Sequence, residues 1–165
     1  VNDQGEIQLH MLRHAHAGDP TKWDGPDAMR PLSEKGRRQA ERLGKLLVKA
    51  GFQPDVVLSS PKIRAIETAQ LVAEPLAAEV VQCPALGGSL ILATLDDLLA
   101  AAGNPRQPLL VGHDPDFSAL AADLAGAQGL TLRKGALVRI DAPRPLREGG
   151  GVLRWLVPPE LLGTD

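Results

Sequence analysis

Aromatic side chains are nearly missing from this chain: two Trp, two Phe and no Tyr in 165 residues. Proteins that hold single-stranded nucleic acid stack bases on such rings, so that partner class has little to work with here. A basic excess is missing too. The formal net charge is −2, which argues against a broad face for phosphate backbones, and no nucleic-acid partner is expected. Cysteine is reduced to Cys83. No intrachain disulfide can form, which fits a reducing, cytoplasmic setting. No apolar run approaches the roughly 18 residues of a spanning helix, so no membrane partner is expected either. No secretory pattern is visible, although the chain opens on Val1 rather than Met, which leaves targeting open.

What the chain has in quantity is aliphatic. Hydrophobic residues make up 44% and charged residues 23%, the proportions of an ordinary globular protein. The core must be built from Leu, Val, Ile and Ala. The length suits one domain over residues 1–165, and nothing in it speaks for or against oligomers. No internal repeat or low-complexity tract is evident.

Residues 1–5 are polar and read as loose. Ile7–Leu12 reads as a first strand. Gly18–Pro31 is rich in Gly, Pro and Asp and reads as a loop. Ser33 suits a helix N-cap, Ala40, Leu43, Leu47 and Ala50 follow helical spacing, and Gly51 suits the stop. Asp55–Ser59 is a short strand, and a helix follows Pro61. Val80–Val81 reads as a short strand and Cys83–Ser89 as a loop. Ser89 is the expected cap of a helix carrying Leu92, Leu95, Leu98 and Leu99. Leu109–Val111 is a continuous apolar strand. A helix from Pro115 to Ala125 turns Phe117, Leu120, Ala121 and Leu124 inward. Ala136–Asp141 and Val152–Val157 alternate and read as a strand pair. Alternating strands and helices imply an α/β fold: a three-layer sandwich with a mostly parallel central sheet flanked by helices.

Three segments stand out against this frame. LRHAHA (12–17) places Arg13 and His14 after the first strand. SSPKIRAIETA (59–69) places Arg64 after the second. LLVGHDPDF (109–117) places His113 after a third. In open α/β sheets, ligands bind at the C-terminal ends of strands. Two Arg forks and two imidazoles delivered there suit a group carrying several negative oxygens.

Together with RPLSEKG (30–36) and the closing GVLRWLVPPELL (151–162), these motifs resemble the histidine phosphatase superfamily over nearly the whole chain. The branch that fits is the compact, SixA-like phosphohistidine phosphatases, with their phosphoglycerate-mutase-like sandwich. The resemblance implies His14 as nucleophile, with Arg13, Arg64 and His113 clamping the phosphoryl group. Arg30, in the RPLS segment, is a further substrate-binding candidate. It implies a metal-independent phosphatase with no cofactor, working through a phosphohistidine intermediate. The expected substrate is phosphohistidine on a protein. A small phosphate ester is the alternative, and a catalytically silent phosphate-binding module is the reading from outside enzymology.

The chemistry sets conditions of its own. His14 must be unprotonated to attack, whereas His113 is most useful as a cationic donor. Their pKa values are therefore expected to move in different directions. No carboxylate after the second motif is assignable as an acid for the leaving group: Glu74 and Glu79 lie in no recognisable motif, and Asp96 and Asp97 fall within a helix. A P–N bond tolerates that lack better than an alkyl ester. Only residues 65–112 separate Arg64 from His113, which leaves no room for a cap, so a shallow, open site is expected.

Other candidates read as structural. His10 is expected to pack or hydrogen-bond, and His16 to point away or lie in the loop. The alternation of His10, His14 and His16 could suggest zinc, but a metal site leaves Arg13, Arg64 and His113 unexplained, and none is expected. Asp114 could tune His113, act as an acid, or cap the next helix. Lys62 and Arg37-Arg38 read as solvated charges, and Cys83 as a small half-buried residue.

Overall fold

In the computed structural model, which describes residues 5–163, strand β1 (Glu6–Arg13) lies in the interior of a six-stranded sheet. The expectation for residues 1–4 falls outside the described residues. The chain continues through α1 (Glu34–Lys49), β2 (Val56–Ser59), α2 (Ile63–Ala73), β3 (Val80–Gln82), α3 (Leu92–Ala101), β4 (Pro108–Gly112) and α4 (Asp116–Ala125) to β5 (Leu137–Pro143) and β6 (Val152–Val157). The sheet order is β3-β2-β4-β1-β5-β6. The first four strands in that order are parallel; β5 runs antiparallel to β1, and β6 antiparallel to β5 at the other edge. The result is the mostly parallel sheet expected from the alternation of elements.

Both faces of the sheet are covered, so its inner strands are apolar on both sides. Ile7, Leu9 and Met11 pack with Leu98 and Leu99 of α3 and Phe117, Leu120 and Leu124 of α4. Leu12, on the opposite face of β1, packs with Leu43 and Leu47 of α1 and Ala65, Ala69 and Val72 of α2. These are the three layers, and the scarcity of aromatics leaves Phe117 as the large ring buried on the α3–α4 face.

Helix limits follow local chemistry. The Ser33 hydroxyl caps α1 by accepting from the Gly36 amide at 3.1 Å. Past the C-cap Ala50, Gly51 takes the left-handed conformation with φ +69°, which suits glycine. The expected cap at Ser89 is not used. Helix α3 starts two residues later, behind Ile91, whose amide donates to the Thr94 hydroxyl at 2.9 Å. The loop expected over Gly18–Pro31 holds two short 3-10 turns, Pro20–Lys22 and Asp27–Met29.

Register decides what meets at the C-terminal ends of the parallel strands. Arg13 sits opposite Gly112, and Val111 lies between Leu12 on one side and Ser59 on the other. His14 and His113 therefore leave the sheet at one level, with Ser60 one residue below them. The start of α1 closes against them. A Cβ on Gly36 would stand 1.9 Å from the His16 carbonyl oxygen, so only glycine allows the helix this close. Ser33 donates to the same oxygen from its amide at 3.0 Å and its hydroxyl at 3.1 Å.

Candidate active site

Four of the residues singled out by sequence come together at this level. The rings of His14 and His113 stand 5.2 Å apart, centre to centre. Arg13 and Arg64 both lie within electrostatic reach of each ring. Arg64 enters on the first turn of α2 and is buried. The same helix is pinned to the end of β1 by Thr68, whose hydroxyl accepts from the Ala15 amide at 3.1 Å and donates to the Arg64 carbonyl at 2.7 Å.

His14 is buried, with 5% of its surface exposed. Its Nδ1 lies 2.8 Å from the Ala15 carbonyl oxygen. A carbonyl only accepts, so Nδ1 carries the proton and Nε2 presents its lone pair. Burial, and then the neighbouring charges of His113, Arg64 and Arg13, lower its pKa to about 3 against the opposing bond to Ala15. His14 is therefore a neutral imidazole at any ordinary pH.

His113 departs from expectation. Its pKa is also lowered, to about 4, by burial first and then by Lys62, Arg64 and Arg13, with Asp27 opposing. The two imidazoles move in the same direction, not in different ones. The reason is local. Asp114, the neighbour expected to tune or acidify the site, turns to Arg13, with 3.3 Å between its Oδ2 and Arg13 Nη1. It also accepts from the Ser118 amide at 3.1 Å and the Ser118 hydroxyl at 2.6 Å. Asp114 thus caps α4 and orients Arg13, and His113 is left among cations. Its Nε2 lies 2.7 Å from the Ser60 hydroxyl.

A bound anion reverses this balance, because a negative group beside an imidazole favours its protonated form. Sulfate, which does not titrate in this range, is expected to bind with uptake of a proton by His113. Its affinity falls as pH rises from about 4 through the higher pKa of the complex. Calorimetry in two buffers of different ionisation enthalpy checks this. His113→Asn is expected to remove the proton uptake.

Three buried nitrogens have no hydrogen-bond partner among the described residues: Arg13 Nε, Arg64 Nε and His113 Nδ1. An unpaired buried donor is costly and rare. These three belong to the residues expected to clamp a phosphoryl group, and a tetrahedral oxyanion supplies acceptors for all of them.

Arg30 is buried beside this group. Its Nη1 donates to the Ala17 carbonyl at 2.6 Å and its Nε to Asp27 Oδ1 at 3.2 Å. One carboxylate separates it from Arg64. Asp27 is the residue that sequence reasoning missed. Arg64 donates from Nη1 to the Asp27 carbonyl oxygen at 2.8 Å and from Nη2 to Asp27 Oδ2 at 3.0 Å. The turn Asp27–Met29 is thus tied to the first turn of α2. Residues 65–112 hold the rest of α2, β3, two 3-10 turns, α3 and β4. Lys134 was missed as well. The next amide, of Gly135, donates to the Arg13 and His14 carbonyls at 3.1 and 3.0 Å. Burial, and then Arg13, Arg30 and Arg64, lower the Lys134 pKa.

The remaining histidines are structural. His10 Nδ1 lies 2.9 Å from the Gln8 carbonyl oxygen, and its ring packs on Phe52 and Trp155. His16 Nδ1 lies 2.6 Å from the Ser33 hydroxyl. Among the described residues no group of three or more His, Cys, Asp or Glu is arranged to hold a metal. Nor is any helix there long and apolar enough to cross a membrane. Arg37 pairs with Glu67 at 3.6 Å, and Cys83 is half-buried.

Residues 9–87 match the family model described as histidine phosphatase superfamily (branch 1). An uncharacterised protein of Picosynechococcus is 33% identical over 143 residues, 80% of this chain and 83% of the relative. A 2,3-bisphosphoglycerate-dependent phosphoglycerate mutase of Streptomyces avermitilis is 56% identical over 72 residues, 41% of this chain and 27% of the mutase. The structure of the protein histidine phosphatase SixA complexed with tungstate superposes with a TM-score of 0.81, covering 95% of this chain and 100% of that one, at 22% identity. That likeness is one of fold.

Proposed function

This chain belongs to the histidine phosphatase superfamily, and from that premise we propose that it is a metal-independent phosphatase whose nucleophile is His14. The observation that carries the reading is the set of three unpartnered buried nitrogens, on Arg13, Arg64 and His113, gathered around an imidazole whose Nε2 presents a lone pair.

Transfer of a phosphoryl group spreads charge over three equatorial oxygens, so positioning and electrostatic stabilisation do most of the work. Arg13, Arg64 and His113 bind those oxygens. His14 Nε2 attacks phosphorus in line, and the P–N bond to His14 forms as the bond to the leaving group breaks. Water then attacks the phosphohistidine, releasing phosphate and restoring neutral His14. The low pKa of His14 serves both halves, because a neutral imidazole is the attacking form in the first and the departing group in the second.

For the substrate we propose phosphohistidine presented by another protein. With no domain inserted between Arg64 and His113, the approach is not roofed by a cap, and the fold is that of a protein histidine phosphatase. A small phosphate ester is the second reading, favoured by the strong match of part of the chain to a phosphoglycerate mutase and by a carboxylate, Asp27, beside Arg64. Competing a phosphohistidine-bearing protein against sugar phosphates separates the two. Faster turnover of the phosphoprotein is expected, and exclusive turnover of sugar phosphates would reverse the assignment. EDTA is expected to leave the rate unchanged, since Arg13, Arg64 and His113 supply the positive charge. Inhibition reversed by zinc would contradict the mechanism.

A further inference from the structure

Arg13, Arg64 and His113 suffice for the three equatorial oxygens of a phosphoryl group. Two further cations, Lys134 and Arg30, stand beside this clamp and take no part in it. They lie within electrostatic reach of each other, and Lys134 lies within reach of Arg13 and Arg64 as well.

The position of Lys134 is fixed by backbone. Residues 133–136 make a tight turn, in which the Ala136 amide donates to the Arg133 carbonyl at 2.9 Å and Gly135 takes φ +82°. A left-handed third residue is the type II form, so Lys134 stands at the corner of the turn. The turn is tied to the end of β1 on both sides of Lys134. Arg13 Nη1 donates to the Leu132 carbonyl at 2.8 Å, and the Gly135 amide donates to the Arg13 and His14 carbonyls. The two residues that head the site thus hold Lys134 beside it. Lys134 is half-buried whereas His14 and Arg64 are buried, so it stands nearer the mouth, where the rest of a substrate emerges.

The ammonium has no hydrogen bond or ion pair among the described residues. The acid within its electrostatic reach is Asp19, which is exposed and already accepts from the Thr21 amide at 2.9 Å and the Thr21 hydroxyl at 2.7 Å. The other acids of the site are engaged, Asp114 with Arg13 and Asp27 with Arg30 and Arg64. Arg30 gives Nε to Asp27 and Nη1 to Ala17, which leaves Nη2 over. Lys62 belongs to the other side of the site, where it acts on His113, whereas Lys134 acts on His16.

We propose that Lys134 and Arg30 form a second anion subsite, which takes a carboxylate or a further phosphate that the substrate carries beside its phosphoryl group. The proposal deepens the phosphatase reading and rests on it. Two sources present this chemistry: an acidic side chain next to phosphohistidine on a protein, or an acid group on a small ester. Cations held together repel one another, and an anion between them offsets that repulsion. After burial, the same repulsion from Arg13, Arg30 and Arg64 lowers the Lys134 pKa. No bond forms or breaks in the subsite, so it selects among substrates and leaves the chemistry to His14.

The test compares matched pairs of substrates. One pair is meta-carboxyphenyl phosphate and phenyl phosphate. The other is two synthetic phosphohistidine peptides that differ in having Glu or Gln beside the phosphohistidine. The wild type is expected to favour the acidic member of at least one pair by roughly tenfold in kcat/KM, the scale of a hydrogen bond to a charged group. The preference resides in KM, because the subsite binds ground state and transition state alike. Lys134→Met keeps the apolar stem and loses the charge. Its preference is expected to vanish, with a smaller loss on the neutral members, and Lys134→Arg is expected to retain the preference. Lys62→Met removes a cation from the other side and is expected to leave the ratio in place. A preference confined to the peptides supports a protein source, and one confined to the esters a small molecule. Equal turnover within both pairs by the wild type would overturn the proposal and leave the phosphatase reading standing. So would a preference undiminished in Lys134→Met, or lost equally in Lys62→Met. A wild type inert toward every one of these substrates would overturn the phosphatase reading itself.

Discussion

Replacing His14 with alanine is expected to abolish turnover, a loss of roughly 10⁶-fold if the comparison is with deletion of other enzymic nucleophiles. The expectation follows from how the ring is held. The Ala15 carbonyl accepts from Nδ1, which fixes the tautomer and aims Nε2. Burial and three neighbouring cationic or imidazole groups keep the ring neutral. No other side chain at the strand ends shares that combination: His113 lies against Ser60 through Nε2, and Ser60 is itself hydrogen-bonded within its own turn. The variant keeps Arg13, Arg64 and His113, so it should still bind sulfate. Sulfate calorimetry therefore separates a chemical loss from a folding defect. Substantial turnover in a folded, sulfate-binding His14→Ala protein would remove His14 from the chemistry.

Arg64→Ala is expected to cost about 10²–10³ in kcat, the range for losing one preorganised donor at a developing charge, and to weaken sulfate binding in parallel. Both edges of the guanidinium are engaged in different tasks, Nε left for the phosphoryl oxygens and the two Nη atoms on Asp27. Arg64→Lys is expected to recover little, because an ammonium is a point charge and cannot serve two edges. Thr68 still ties α2 to Ala15, so the helix should hold its place in both variants. Rates of the lysine variant close to wild type would mean that net charge at this position matters and the fork does not.

The strand-end motifs were legible in the sequence because sheet pairing is a near-neighbour matter. Once three apolar runs are strands in one parallel sheet, whatever follows each run emerges at one edge. Register then places His14 and His113 level, with Ser60 one residue below. The same logic shows why Asp27 was not legible. It sits in a Gly- and Pro-rich loop with no periodicity, and its partner Arg64 is 37 residues away. The trace it left was faint: an acid three residues before Arg30, now seen as an ion pair at 3.2 Å. Lys134 gave no trace, since its approach depends on the Gly135 amide reaching back to β1.

The charge on His113 was misread for a related reason. An Asp beside a His in sequence suggests a partner. Successive residues leaving a strand point apart, however, and Asp114 found Arg13 and Ser118 instead.

Mixing the protein with a phosphorylated substrate, quenching within one turnover at alkaline pH and mapping the phosphate by mass spectrometry tests the central claim most directly. Alkali preserves phosphohistidine, so the phosphate is expected on the peptide carrying His14, at a level that decays with the rate of turnover and is absent from His14→Ala. Steady hydrolysis with no phosphate on His14 at any quench time, or with the phosphate on another residue, would contradict the account.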